Sequence, residues 1–288
     1  MVHEMRVHRI GILMLAAIVT ACGSTDTTGS PASPSTDASA SPSPAAPTAS
    51  PEVLEGAFEV ADGRELYLVC RGEGSPTVIL EAGDESGREE WARVEPEISA
   101  VTRTCAYDRG SIGRSDPVSG CRQLSDLTGD LDQLLGAADV PGPYVLVAGS
   151  GGGYIAAGFA AQHPEDIAGM VFAEVPKAFL DAPPEVVEET SCDNPDNVEH
   201  RDYLKVEADA WNNRAEIGDI PVTIISNEYG PDAEPGGAAN VVDQQGWLVL
   251  SPRATQVIVE SGHDVANNEP QLVIEEIVKV IEAARPSS

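Results

Sequence analysis

The chain reads as an α/β fold: a mostly parallel sheet with helices on both faces. Three observations predict it. From Phe58 onward, short apolar runs alternate with stretches of helical period, the pattern of parallel strands linked by covering helices. One run, residues 144–148, ends in a serine wrapped in glycines, Ala148-Gly149-Ser150-Gly151-Gly152, and passes at once into a small-residue helical stretch. That is how a strand, a tight turn and a helix would be written. Finally, about 235 residues are available for the fold, ample for one large domain.

The elements follow in order. Residues 58–60 and 65–69, split by Asp62-Gly63, predict a hairpin. Residues 77–81 predict a buried strand running into Ala82-Gly83, and 91–101 a helix. Residues 102–107 predict the next strand, ending in Asp108-Arg109-Gly110. Leu124, Leu127, Leu131, Leu134 and Leu135 give helical spacing over 124–135. Strand 144–148 leads through the serine turn to a helix over 152–162, stopped at His163-Pro164. Strands follow at 167–172, 222–226 and 254–259. The last helix, 270–284, places Val273, Ile277, Val280, Ile281 and Ala284 on one face. The segment from 175 to about 219 breaks the rhythm: it is polar, with Pro183-Pro184 and Pro195, and reads as a small cap inserted above the sheet.

The first fifty residues are not fold. Arg6 and Arg9 precede an apolar stretch, 10–19, too short to span a bilayer as a mature helix. It ends Val19-Thr20-Ala21-Cys22, which resembles the lipobox of a bacterial lipoprotein signal. The expectation is a signal peptide over 1–21, lipidation of Cys22 and an extracytoplasmic, lipid-anchored protein. Residues 22–51 are mostly Ser, Thr, Ala, Pro and Gly and predict a disordered tether. The folded domain is then 52–288.

The net charge is −30. No basic cluster exists to neutralise phosphates, which excludes nucleic-acid binding. The same charge repels anionic lipid, so attachment to a membrane has to come from the lipid anchor. Beyond Cys22 there are Cys70, Cys105, Cys121 and Cys192. Outside the cytosol these favour disulfides, with three possible pairings. Neither a C-x-x-C nor a paired His occurs, so no metal is expected, and nothing calls for a cofactor. The expected state is a monomer.

The helix behind Ser150 aims unpaired N–H groups at any oxygen that becomes anionic. A serine nucleophile needs a base. Of the histidines beyond the leader, His163 sits at a helix end and His200 in the polar insertion. His263 lies in Val259-Glu-Ser-Gly-His-Asp264, just after the last strand, and is the candidate base. The acid is open between Glu174, after strand 167–172, and Glu228 or Asp232, after strand 222–226; Glu174 is favoured. Candidate oxyanion donors are the N–H of Gly151 and, from Glu81-Ala-Gly-Asp84, that of Asp84. A rival reading takes Gly151-Gly152-Gly153-Tyr154-Ile155-Ala156, with Glu174 beyond, as a dinucleotide-binding turn. It fails on context, because such a turn follows the first strand of a domain and several strands precede this one.

These residues together resemble the α/β-hydrolase superfamily over about residues 57–285. The likeness rests on Ser75-Pro-Thr-Val-Ile-Leu-Glu-Ala-Gly83, on Cys105-Ala-Tyr-Asp-Arg-Gly-Ser-Ile-Gly-Arg-Ser-Asp-Pro117, on the serine turn and on Gly262-His263-Asp264. It implies an eight-stranded, mostly parallel sheet, a cap between the sixth and seventh strands, Ser150 as nucleophile and His263 as base. Some members with this layout carry the acid after the sixth strand, which is Glu174 here. Others carry an Asp after the seventh, where this chain has Tyr229-Gly230. The superfamily's strand order makes the second and fourth strands neighbours, which implies a Cys70–Cys105 bridge and leaves Cys121–Cys192 to join a loop to the cap. The function implied is a serine hydrolase acting on small-molecule esters, with amides open, through an acyl-enzyme. Serine rather than Asp at the nucleophile argues against haloalkane or epoxide chemistry. Two departures, Ala148 for the first motif Gly and Gly149 for the frequent His, carry the alternative: a catalytically weak or inactive hydrolase fold serving as a binding lipoprotein.

Overall fold

The computed structural model describes residues 53–180, 182–228 and 237–285, with backbone alone for 237–240. The leader, Cys22, the tether and Asp232 lie outside the described residues. One sheet is built from Leu54–Glu59 (β1), Glu65–Arg71 (β2), Thr77–Glu81 (β3), Thr104–Asp108 (β4), Tyr144–Gly149 (β5), Ile167–Ala173 (β6), Val222–Asn227 (β7) and Ala254–Val259 (β8). Its order is β1-β2-β4-β3-β5-β6-β7-β8. β2 runs antiparallel to β1 and β4, and every other neighbouring pair is parallel.

The helices are Glu95–Ser99 (α1), Leu124–Ala137 (α2), Gly152–Gln162 (α3), Pro184–Glu189 (α4), Tyr203–Asn213 (α5), Gly237–Gln244 (α6), Val265–Asn268 (α7) and Pro270–Ala284 (α8). β3, β5 and β7 are buried at every position, which is why they read as unbroken apolar runs rather than as alternation. Successive side chains still point to opposite faces. Ile79, Leu146, Phe172 and Ile224 pack towards Leu131 of α2 and Phe159 of α3. Val78, Val147, Val171 and Ile225 pack towards Ile277 and Ile281 of α8. Each such side chain, nearly solvent-free, contributes roughly 2 kcal/mol of transfer free energy.

Three elements depart from the sequence expectation. The helix expected over 91–101 is a 3-10 turn, Arg88–Trp91, followed by the short α1. Pro96 falls in the first turn of α1; lacking an N–H, it opens a helix more readily than it sits inside one. β1 begins at Leu54, so the hairpin is longer than 58–60, and Phe58 faces Leu66 across it. Between β7 and β8, where no element is expected, stand α6 and a 3-10 turn, Gln245–Leu250. Its Trp247 is fully buried and packs edge-on against Trp211 of α5, with ring centroids 4.9 Å apart. That cluster holds the segment between β6 and β7 to the body.

Cys70 and Cys105 face each other in the β2–β4 ladder and are joined by a disulfide, with Cα atoms 4.0 Å apart. A second disulfide joins Cys121, ahead of α2, to Cys192, between α4 and α5. Cross-links of this kind belong to an oxidising compartment. No helix among the described residues is long and apolar enough to cross a membrane.

Candidate active site

β5 delivers the serine. Buried on both faces, it ends at Gly149, and Ser150 follows with φ of 44°. A non-glycine residue in the left-handed region is strained and is kept only where its surroundings over-determine it. Here the Ser150 N–H is tied to the Ala173 carbonyl at the end of β6, 3.0 Å away. The turn puts the hydroxyl at the carboxyl edge of the sheet.

β8 delivers the histidine. After Val259 the chain turns through Ser261 and Gly262, the latter with φ of 85°. His263 Nε2 lies 2.9 Å from Ser150 Oγ. Nδ1 lies 3.4 Å from Glu174 Oε2, at the outer limit of a hydrogen bond. That carboxylate raises the imidazole pKa above its usual 6.5; burial opposes the rise, and Asp264 and Glu90 add to it.

β6 delivers the acid. Glu174 follows the last residue of β6, has φ of 55° and is 1% exposed. Its Oε1 accepts the Asn227 N–H at 2.6 Å and the Gln244 side-chain amide at 2.8 Å. Glu228 is exposed, and its backbone N–H pairs with the Val259 carbonyl. Of the two weighed carboxylates that are described, Glu174 is the one beside His263; Asp232 lies outside the described residues. The other two described histidines are elsewhere. His163 stacks on Phe159, and His200 Nδ1 is 3.3 Å from the Cys192 carbonyl.

The loop after β3 closes the site. The Gly83 N–H donates to Glu90 Oε2 at 2.8 Å. The N–H groups of Asp84 and Gly151 donate to no acceptor among the described residues. Arg109, buried, clamps this loop from beneath by donating to the carbonyls of Ala82 and Gly83 and to Glu81 and Glu199. Burial pushes the Glu199 carboxyl up, but the two guanidiniums of Arg109 and Arg201 more than offset it and leave it below its ordinary value. A cavity of about 560 Å³ opens over Ser150 and His263, walled by Gly83, Asp84, Glu90 and Asn267.

Sequence reasoning missed three residues here. Glu90 and Gln244 carry no local signal, since each sits in a stretch indistinguishable from a solvated helix face. Asn227 ends a strand and looks like a turn residue, yet it joins both halves of the site. Its N–H serves Glu174, while its side-chain oxygen accepts the N–H groups of Ser261 and Gly262 at 2.8 and 3.0 Å.

No family model matches the chain. Among curated proteins it is 24% identical over 216 residues to the uncharacterized protein YqjL of Bacillus subtilis, covering 70% of this chain and 82% of that one. It is 32% identical over 120 residues to a 2-hydroxy-6-oxononadienedioate/2-hydroxy-6-oxononatrienedioate hydrolase of Cupriavidus pinatubonensis, but over only 39% of this chain and 41% of that one. Solved structures align over most of the domain. A thermophilic esterase from Thermogutta terrifontis superposes with a TM-score of 0.62 at 16% identity, over 82% of this chain and all of that one. The enol-lactonase from Burkholderia xenovorans does so with a TM-score of 0.62 at 16% identity, over 78% and 99%. With its eight strands in the order given above and these likenesses, the chain has the α/β-hydrolase fold.

Proposed function

We propose that the protein is a serine hydrolase that cleaves carboxylic esters, with amides as a further substrate class, from an extracytoplasmic position where Cys22 carries a lipid anchor. The observation that carries the reading is the 2.9 Å approach of His263 Nε2 to the Ser150 hydroxyl, with Glu174 behind the ring. The solved structures it resembles include a carboxylesterase from Bacillus subtilis, with a TM-score of 0.58 at 16% identity over 80% of this chain and 91% of that one.

In this mechanism Nδ1–H donates to Glu174, which fixes the tautomer and leaves Nε2 free to accept the Ser150 proton. Oγ bonds to the substrate carbonyl carbon, and the carbonyl electron pair moves to oxygen. The N–H groups of Gly151 and Asp84 hold that oxyanion; each such donor is worth about 3 kcal/mol of transition-state stabilisation. The intermediate collapses, the C–O bond to the alcohol breaks, and the leaving oxygen takes the proton from Nε2. Water then attacks the acyl-enzyme, gives its proton to Nε2, and the acid departs as Ser150 recovers its hydrogen.

A fluorophosphonate probe and a p-nitrophenyl ester chain-length series test this. Labelling of the wild type that is lost in Ser150→Ala, together with ester turnover, supports a hydrolase. A folded wild type that neither labels nor turns over belongs to the binding-lipoprotein alternative.

A further inference from the structure

The corner where an oxyanion would form already holds a negative charge. The Asp84 carboxylate lies against Gly151, and a Cβ placed at Gly151 would stand 1.9 Å from Asp84 Oδ1. The two amides assigned to the oxyanion belong to these same two residues. A carboxylate so close opposes the charge that a tetrahedral intermediate develops.

A countercharge comes from the segment between β6 and β7. Arg201 Nη1 donates to Asp84 Oδ1 at 2.6 Å, and Nη2 reaches the Gly151 carbonyl at 3.5 Å. Arg201 is fully buried. Its second ion-pair partner among the described residues, Glu199, is 3.8 Å away and is already held by two Arg109 bonds of 2.8 and 2.9 Å. Arg201 Nε has no partner among the described residues, so completing its own hydrogen bonds does not explain where this side chain lies.

The chain around Arg201 is held in place from outside. Arg122 and Arg201 form a lone parallel bridge, with the Arg122 N–H on the His200 carbonyl and the Asp202 N–H on the Arg122 carbonyl. The neighbouring Cys121–Cys192 disulfide ties the same two strands of chain.

We propose that Arg201 is a positioning residue for acyl transfer: it neutralises Asp84 and holds its carboxylate aside, so that the Gly151 and Asp84 amides meet an acyl oxygen without an opposing charge. This rests on the hydrolase reading.

The test is a double-mutant cycle on the full chain, read as the rate of Ser150 labelling by a fluorophosphonate and as p-nitrophenyl acetate turnover. Arg201→Met should slow labelling by about tenfold or more and lower kcat with KM changed by no more than about twofold. Asp84→Asn alone should speed labelling about threefold. In the Asp84→Asn background, the Arg201→Met loss should shrink to about a third of its size or less. Equal losses in both backgrounds overturn the proposal. Where Arg201→Met does not fold, the partly exposed Asp84 decides: labelling of Asp84→Asn at or below the wild-type rate overturns it. No labelling of Ser150 in the folded wild type overturns the hydrolase reading and this inference together, whereas additive effects in an enzyme that labels overturn the inference alone.

Discussion

Gly149, immediately before the candidate nucleophile, is where a missing side chain makes room for an acid. A Cβ there would stand 2.3 Å from Glu90 Oε1, so a carboxyl group takes up the space that a side chain at this position would need. Burial pushes the Glu90 carboxyl above its ordinary value, against the Gly83 N–H and Arg109. Glu90 also acts on His263, together with Glu174 and Asp264, by stabilising the protonated ring. In the proposed mechanism His263 must be unprotonated to act as base, so kcat/KM should fall as pH drops through a His263 pKa that lies above 6.5. Glu90→Gln removes one of the raising charges, and its acid limb should move to lower pH; a limb that stays put or moves up contradicts the assignment. Glu174→Gln should cost a larger amount, roughly a thousandfold or more in kcat, with little change in folding, because the amide favours the wrong tautomer. A pH–rate profile and a thermal melt on each variant measure both.

At the scale of elements, β7 and α6 orient Glu174, the proposed acid, and β8 brings His263, the proposed base. Asn227, the last residue of β7, accepts from two amides of the His263 loop and donates its own N–H to Glu174. Gln244, the last residue of α6, supplies the second donor to Glu174 and accepts from Ser226 Oγ at 2.8 Å. Asn227→Ala strips acceptors from two loop amides while leaving the backbone N–H on Glu174. The loop should loosen, with kcat falling about tenfold to a hundredfold and stability by about 1–3 kcal/mol. Steady-state kinetics beside denaturant unfolding separate the two, and a stability loss with unchanged kcat would show that the loop needs no such support. The Cys121–Cys192 disulfide works on the other side, closing a sequence separation of 71 residues between the chain ahead of α2 and that ahead of α5. Replacing both cysteines by serine should cost about 2–4 kcal/mol, seen as a lower Tm.

At the scale of the whole molecule, a net charge of −30 opposes binding to anionic surfaces, so the proposed membrane attachment would rest on a lipid at Cys22. If the proposal holds, Cys22→Ser should move the protein from the detergent-requiring membrane fraction to the supernatant with the same ester turnover as the wild type; retention in the membrane would remove the anchor from the proposal.

The strands were legible in the sequence because they are covered on both faces and therefore spell out apolar runs, and α2, α3 and α8 because each shows a helical face or follows directly from a strand and turn. The turn at Ser150 was legible for the same local reason: a strand-to-helix turn that tight must be written in glycine. His263, the proposed base, stood out by its place after the last strand. Other features had no such trace. Whether Glu174 or Glu228 stands beside the His263 ring turned on which carboxylate the packing of β6 against β7 brings to a residue 89 positions further on, Asp232 lying outside the described residues. Glu90, Arg201, Asn227 and Gln244 reach the site through contacts between residues far apart in the chain, and the turn after α6 is held by a tryptophan cluster. Periodicity and turn chemistry act over a few residues, so the sequence by itself determined most of the elements and the turn at Ser150. The charges and hydrogen bonds that surround that turn are settled by long-range packing, and only the tertiary structure decided them.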